Sequence, residues 1–318
     1  MPAFKPPLYI VPTLPKTSPS GQVQLTAIAG SGSGYAFTIV TNNSGGTVNS
    51  GSGLYTAGTN SNCTDVVQVT DGIGLTALRE VQVMDGPTLG QIRLECQQRL
   101  DLVNSSFIGN PEWLSYINGS AFELYDKLVY AYGANYNLAP PYIFTTDGQS
   151  EFYPLPIDLY KHLGLDVQIA NTTSGYLPVP RFNFAERNKF MVPYQVFYGI
   201  RTNLHYEIAG SKLWVLPIAA AGQNMRLHYV PRFTKLMNDT DVLDGLSGWE
   251  DYVKVDVCIK AGNKRETDVS VFMAQKSELG QRIDEIAIER DIGSPATVVD
   301  TRAVEDDWMN RGGSGGPF

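Results

Sequence analysis

The chain has few of the residues that build metal sites and disulfide frameworks. Its 318 residues include only three cysteines and three histidines. Cys63, Cys96 and Cys258 are widely separated and odd in number, which argues against a disulfide framework and gives no metal-binding spacing. The histidines are isolated from one another, and the HExxH and CxxC motifs are missing. The sequence therefore predicts no metal ion and no cofactor.

Motifs of covalent catalysis and nucleotide binding are missing as well. There is no G-x-S-x-G motif, and the glycine-rich residues 30–34 are followed by neither Lys-Ser/Thr nor a helix, which favours an inter-strand loop. Acidic pairs such as Asp284 with Glu285 and Asp306 with Asp307 could offer two carboxylates for glycosidic chemistry. Sequence neighbours on a helix point in different directions, so these pairs indicate a solvated charged face. The sequence predicts no catalytic residue and no enzyme activity.

Positive charge and long apolar runs are also scarce. Lys and Arg number 24 against 32 Asp and Glu, and the formal net charge is -8. This balance argues against a surface that grips nucleic acid through its phosphates, so any contact with DNA should be non-adhesive. No apolar run approaches the roughly 18 residues that span a bilayer, and the first residues lack the apolar stretch of a signal peptide. We expect no membrane partner and a cytoplasmic site of synthesis.

The N-terminal part differs in composition from the rest. Residues 1–20 contain six prolines, which predicts an extended, polyproline-like, peripheral arm. Residues 21–85 carry only five charged side chains and show period-two apolar alternation between turn residues, the pattern of a small β-sandwich. Gly86 and Pro87 then form a joint, so the sandwich is predicted to be an outward-facing appendage.

Two helical segments, residues 86–133 and 246–291, are predicted to build one core. Capping boxes at Thr88 to Gln91 and Ser247 to Glu250, and Asn110 before a first-turn proline, indicate where helices begin. Apolar residues recur behind these signals at three- and four-residue steps, and such stripes are stable only when they pack together. The predicted core residues are Leu100, Leu114, Ile117, Leu124, Leu128, Tyr252, Ile259, Phe272, Leu279 and Ile283.

Residues 134–245, between the two helical segments, show short strand patterns rich in aromatics and prolines. Leu213 and Val215 alternate before a six-residue loop, residues 219–224, and Leu227 and Tyr229 alternate after it, which predicts a hairpin. This segment is too long for a structureless loop in a compact domain, so it is predicted to be a β-rich insertion.

The last segment, residues 292–318, has apolar side chains but too few to fold alone. This favours an arm that orders by docking onto a partner, although a disordered terminus, or an arm packed on its own or a neighbouring subunit, remains open. The candidate docking residues are Val298, Val299, Val304, Trp308, Met309 and Phe318.

Several stretches resemble tailed-bacteriophage head-to-tail connector (adaptor) proteins. They are 92–102 (IRLECQQRLDL), 121–126 (AFELYD), 152–161 (FYPLPIDLYK), 208–217 (IAGSKLWVLP), 227–231 (LHYVP) and 248–253 (GWEDYV). The resemblance covers residues 86–300 by order of elements, without an invariant catalytic motif. Residues 52–58 (SGLYTAG) and 65–71 (DVVQVTD) resemble bacterial and phage Ig-like domains, which have no single function.

Together these features imply a multidomain α+β protein with an N-terminal Ig-like β-sandwich, a four-helix connector core split by a β-rich insertion, and an extended C-terminal arm. The connector resemblance implies a virion protein at the head-tail junction, assembled in the host bacterial cytoplasm. It implies a ring, dodecameric in the family, that binds portal protein through the C-terminal arm and tail (nozzle or tail-tube) proteins below. Double-stranded DNA would pass through without sequence-specific binding.

Two other classes of function remain open at this point. One is a tail or surface-adhesion protein that binds host carbohydrate or a receptor through the Ig-like domain. The other is a wall-degrading enzyme, which would require a pair of carboxylates facing one cleft.

Overall fold

Helices and sheets occupy separate stretches of the computed structural model, which describes residues 6–132, 137–169, 175–191, 204–243 and 249–291. The chain is mixed α+β, as predicted, and none of its described sheets closes into a barrel. The helices are α1 (Leu89–Arg99), α2 (Asn110–Ala131), α3 (Glu250–Lys264) and α4 (Ser270–Asp291), with a 3-10 helix at Phe184–Phe190.

Before α1, the described residues from 6 onward form nine strands in a two-layer β unit. They are β1 (Tyr9–Val11), β2 (Lys16–Thr17), β3 (Gln22–Gln24), β4 (Thr26–Ile28), β5 (Ala36–Thr41), β6 (Thr47–Val48), β7 (Leu54–Thr56), β8 (Cys63–Thr70) and β9 (Thr76–Val83). One sheet has the order β2-β9-β8-β5 and the other β3-β7-β6, while β1 pairs with β4. Alternate residues such as Phe37, Val67 and Val81 meet Tyr55 of the opposite sheet in one buried core.

The prediction of a peripheral, polyproline-like arm at residues 1–20 is wrong for the part that the structure describes. Strand β1 pairs antiparallel with β4, and β2 pairs in parallel with β9. Ile10 has no exposed surface and belongs to the core of the β unit. Pro12 and Pro15 lie between the two strands, where proline removes no ladder hydrogen bond, so the proline count did not indicate the conformation.

A buried carboxylate holds the turn after β5. Asp65 of β8 accepts hydrogen bonds from the amides of Asn43 and Ser44, at 2.7 and 2.8 Å, and from the hydroxyls of Ser44 and Tyr55, at 2.6 and 2.5 Å. Burial alone raises the pKa of the Asp65 carboxyl, but these hydrogen bonds outweigh burial and hold its pKa below the ordinary value.

Replacing Asp65 should change how the stability of the protein depends on pH. A carboxyl whose pKa is lowered by folding stabilises the fold above its unfolded pKa of about 3.9, and this contribution is lost as the pH falls through the folded pKa. We expect Asp65→Asn to lower the free energy of unfolding at pH 6 and to flatten its decline between about pH 5 and pH 2. Urea unfolding of both proteins across this range measures the difference, and equal declines would contradict the assignment.

The helix starts agree in part with the sequence signals. Thr88 caps α1 through the predicted box, in which its hydroxyl accepts the Gln91 amide and its own amide donates to the Gln91 side chain. Helix α2 begins at Asn110 with Gly109 as its N-cap, so the predicted cap at Asn110 is one residue too late. Helix α3 has Trp249 at its N-cap without a side-chain hydrogen bond, whereas the predicted cap Ser247 lies outside the described residues.

All four helices pack on one core although two segments far apart in the chain supply them. Ile92 and Cys96 of α1 meet Ile117 and Leu124 of α2, and the core continues through α3 to Ile283 of α4. Burial of each such aliphatic side chain stabilises the fold by roughly 1.5–3 kcal/mol. Neighbouring apolar faces therefore hold the first helix pair to the second.

The described residues between α2 and α3 form seven strands in two antiparallel sheets. They are β10 (Tyr142–Thr145), β11 (Phe152–Pro154), β12 (Leu159–Gln168), β13 (Tyr176–Val179), β14 (His205–Ala209), β15 (Lys212–Leu216) and β16 (Asn224–Pro231). The sheet orders are β10-β16-β12-β13 and β11-β15-β14, and the two sheets share a core that includes Phe144, Tyr153 and Leu213.

The predicted hairpin between Leu213 and Tyr229 is wrong. Leu213 lies in β15, which pairs with β14 and β11, whereas Tyr229 lies in β16 of the other sheet. Apolar alternation identifies a strand but not its partner, and the true hairpin joins β14 to β15 through Gly210, whose φ of 63° favours glycine.

Candidate functional site

The structure brings most of the predicted helical core residues together. Six of them are buried in the shared core, namely Leu100, Ile117, Leu124, Leu128, Tyr252 and Ile283. Leu114, Phe272 and Leu279 are partly buried and pack against it. Ile259 is a correction, because it is half-buried outside this cluster while Val253, Val257 and Ala261 form the buried face of α3.

A charged cluster, here called the clasp, joins α2, α3 and α4. Its central carboxylate, Asp256, is 3% exposed and accepts hydrogen bonds from Lys260 at 2.6 Å, Lys276 at 2.5 Å and the hydroxyl of Ser120 at 2.6 Å. Glu123 of α2 contacts the same two ammonium groups, at 2.9 and 3.0 Å. Two lysines, one from α3 and one from α4, thus lie between a carboxylate of α3 and a carboxylate of α2.

The clasp is electrostatically balanced. Burial raises the pKa of the Asp256 carboxyl, but the hydrogen bonds from Lys260, Lys276 and Ser120 and the charge of Lys260 hold it below its ordinary value. Burial lowers the pKa of Lys276, and the two carboxylates more than reverse this effect, so its pKa is raised. Asp256 and Lys276 therefore stay charged across the neutral range, and their ion pair joins α3 to α4.

A second polar cluster, here called the junction, ties the β unit to the insertion. The hydroxyl of Thr13 donates to Asp158 and lies 3.1 Å from the hydroxyl of Tyr229, which donates to Asp158 at 3.1 Å. Arg79 of β9 donates to the carbonyl oxygen of Thr13 at 3.1 Å. Nearby, the rings of Tyr9 and Tyr142 pack edge to face. The separability of the β unit stays a prediction, but these contacts oppose it.

Removing the junction carboxylate should loosen the N-terminal segment selectively. We expect Asp158→Ala to destabilise the protein by roughly 1–3 kcal/mol, because Thr13 and Tyr229 lose a charged acceptor. Hydrogen exchange should accelerate in β1 and β2 while α1 to α4 keep their protection. Glu80→Ala, at an exposed site of β9, is the matched control. Unchanged exchange in β1 would contradict the role of the junction.

The Gly86 and Pro87 joint is also packed. A Cβ atom at Gly86 would lie 2.7 Å from the Cγ1 of Val242, so only glycine fits there without displacement. The carbonyl oxygen of Pro87 accepts the Leu243 amide at 3.1 Å. The joint is therefore held against the chain that follows β16.

The outer face of α4 carries three exposed apolar side chains. Val271 is 66% exposed, Met273 58% and Ile288 70%. Beside α4 lies a shallow cleft of about 560 Å³, lined by residues of three helices. Its lining includes Arg99, Asp251, Val255, Phe272, Leu279 and Arg282.

Other kinds of site are not evident in the described part of the chain. No group of three or more His, Cys, Asp or Glu side chains there could hold a metal ion. No helix among the residues described is long and apolar enough to cross a membrane. The predicted docking residues, Val298, Val299, Val304, Trp308, Met309 and Phe318, lie outside the described residues.

The sequence interpretation missed the clasp and the junction. The four-residue spacing of Asp256 and Lys260 was a usable signal for the first, because such a pair meets on one helix face. No local signal was available for the second, since Thr13 lies 145 residues from Asp158 and 216 from Tyr229.

Comparisons with known proteins give limited information. No family model and no curated protein match this chain. Among solved structures, the C-terminal 282-residue fragment of intimin, in complex with the intimin-binding domain of the translocated intimin receptor, is 18% identical. It matches 30% of this chain and 39% of its own, with a TM-score of 0.22. An intimin mutant from EHEC O157:H7 is 20% identical over 29% of this chain and 58% of its own, with a TM-score of 0.19. The matches thus span less than two thirds of these intimin chains, and similarity at this level carries no argument about function.

Proposed function

We propose that this chain is a structural virion protein, a head-to-tail adaptor whose copies form a ring between the portal and the tail. The observation that carries the proposal is the helical unit, in which two distant segments form one core and leave the outer face of α4 exposed beside a cleft. In the proposal the β insertion and the Ig-like β unit project from this ring.

Ring closure requires two different surfaces that fit one another. In a heterologous interface one face of each subunit packs against a different face of the next. In the proposal, these surfaces are the outer face of α4, with Val271, Met273 and Ile288, and the cleft lined by Phe272 and Leu279. The net charge of -8 suits a channel through which DNA slides, because negative walls repel phosphate.

Electron microscopy of the purified protein, alone and with portal protein, tests this function. We expect closed rings that stack on the portal, with double-stranded DNA, portal and tail proteins as the only partners. A protein that stays monomeric with and without portal would contradict the proposal. A variant truncated after Gly293 tests the portal contact of the C-terminal arm separately, and in the proposal it forms rings that do not attach.

A pair of variants assigns the interface. Met273→Glu combined with Ile288→Glu places two charges on the outer face of α4 and should prevent ring formation without lowering the melting temperature. Tyr130→Glu, at an 88% exposed site on α2, is the control and should leave the ring intact. Rings of normal size in the double variant would exclude this face.

A second candidate function is adhesion through the Ig-like β unit. Exposed apolar side chains at the tip between β8 and β9, Ile73 and Leu75, favour it because they form a surface suited to a partner. Binding of the full chain to host polysaccharide, lost in Ile73→Ser with Leu75→Ser, would support this function over the ring.

A further inference from the structure

A groove of about 300 Å³ lies where the β unit, α2 and the chain after β16 meet. Its walls are largely apolar, and its lining includes Pro12, Leu14, Val23, Tyr125, Phe233 and Met237. Its volume, and a lining that is mainly apolar with some polar side chains, are typical of a ligand-binding cleft. It is separate from the cleft beside α4, so neither the clasp nor the proposed ring interface accounts for it.

One wall of the groove is the open edge of a sheet. Strand β3 pairs with β7, and no described strand pairs with its other side. The amide of Leu25 and the carbonyl oxygen of Gly21 form hydrogen bonds on the β7 side of the strand. Because these directions alternate along an antiparallel strand, the backbone groups of Gln22 and Gln24 point away from β7, and both residues line the groove. Such an edge is a template for an added strand.

A buried polar atom in the groove also indicates a ligand. Asn137 is 5% exposed and lines the groove, yet its side-chain Nδ2 has no hydrogen-bond partner among the described residues. An unsatisfied buried donor destabilises the protein, so a ligand that supplies a carbonyl or carboxylate oxygen there would gain a hydrogen bond.

The charge of the groove identifies the chemistry of its occupant. Three cations, Lys16, Arg232 and Lys235, and one carboxylate, Asp241, lie around it, and Arg232 and Lys235 are exposed. An extended, acidic segment with apolar side chains would complement this surface. Residues 298–309 of this chain, VVDTRAVEDDWM, have that composition, with four acidic residues and one arginine. Helix α4 ends at Asp291, and residues 292–297 link it to this segment with a reach of at most about 25 Å.

We propose that in the free protein the groove binds residues 298–309 of this chain as a strand added to β3. The amides of Gln22 and Gln24 donate to carbonyl oxygens of the added strand. Val and Trp side chains enter the apolar walls, and an oxygen of the strand accepts from Asn137 Nδ2. The inference does not rest on the ring or on the portal, because the groove lies within one subunit.

Photocrosslinking of the full chain tests the occupant. Trp308→p-benzoylphenylalanine places a photoreactive aromatic group in the segment, and mass spectrometry locates the adducts after irradiation. We expect adducts within residues 12–16, 22–24 or 231–238. Adducts confined to other surfaces, or no adduct at all, would overturn the proposal. A failure of ring formation would not affect this result, so the two proposals are tested independently.

Two substitutions at one position test strand addition itself. Gln24→Pro removes the outward amide of β3, whereas Gln24→Ala removes the same side chain but keeps that amide. We expect the proline variant to give roughly three- to tenfold less adduct than the alanine variant, the loss expected for one hydrogen bond. Equal yields would exclude strand addition.

A charge-reversal variant keeps the test decisive if Gln24→Pro unfolds. Arg232→Glu with Lys235→Glu alters exposed side chains, so the protein should keep its melting temperature. Repulsion of the acidic segment should lower the adduct yield several-fold and make the remaining yield rise with salt. An undiminished yield would contradict the charge match.

Discussion

Leu124→Asp should abolish the cooperative unfolding transition of the protein. Leu124 is 5% exposed in the middle of α2 and belongs to the core shared by all four helices. The side chains of the core around it are apolar, and an unpaired buried charge costs several kcal/mol. Because typical domains are stable by only about 5–15 kcal/mol, this loss together with the missing leucine contacts is enough to unfold the helical unit.

Circular dichroism during thermal unfolding measures this outcome. Tyr130→Asp is the matched control, because it introduces the same charge on the same helix at a site that is 88% exposed. We expect the control to melt within a few degrees of the unaltered protein, as surface substitutions usually shift stability by about 0.5 kcal/mol or less. A soluble Leu124→Asp protein with a cooperative transition would refute the assignment of the core.

Asp256→Ala should produce the second large effect. The substitution leaves Lys260 and Lys276 near one another and opposed only by the half-exposed Glu123. Removing one partner from a buried ion pair typically destabilises by about 3–5 kcal/mol, and the partial exposure of both lysines favours the lower figure here.

Asp284→Ala gives a control on the same helices. Its carboxylate pairs with Lys127 at 2.9 Å but is 54% exposed, so its loss should change stability by about 1 kcal/mol or less. Urea unfolding of both variants compares the free energies of unfolding directly. Equal losses would mean that the clasp behaves as an ordinary surface pair.

The sequence predicted element types better than it predicted partners. Alternation at Phe37 and Ile39 and the capping box at Thr88 gave correct strands and a correct helix start, because both patterns depend on neighbours a few residues away. Alternation in β15 and β16 could not show that the strands belong to different sheets, since strand pairing depends on the whole fold.

The candidate sites were predictable to different extents. The apolar stripes predicted the helical core except at Ile259. The apolar periodicity of the sequence includes Ile259, but the side of α3 that packs in the core carries Val257 and Ala261 instead. The groove could not be predicted at all, because Val23, Asn137 and Phe233 come from three distant parts of the chain. The connector resemblance and its partners stay predictions.

The division of the helical unit between two segments has a consequence for synthesis on the ribosome. Between Ala131, which ends α2, and Glu250, which begins α3, lie 118 residues. At about 5–20 residues per second, the nascent chain carries the apolar faces of α1 and α2 unpaired for roughly 6–24 s. Chaperones that bind nascent chains and shield such faces should therefore raise the soluble yield of this protein. The increase should be larger than for a helical bundle whose helices follow one another directly in the sequence.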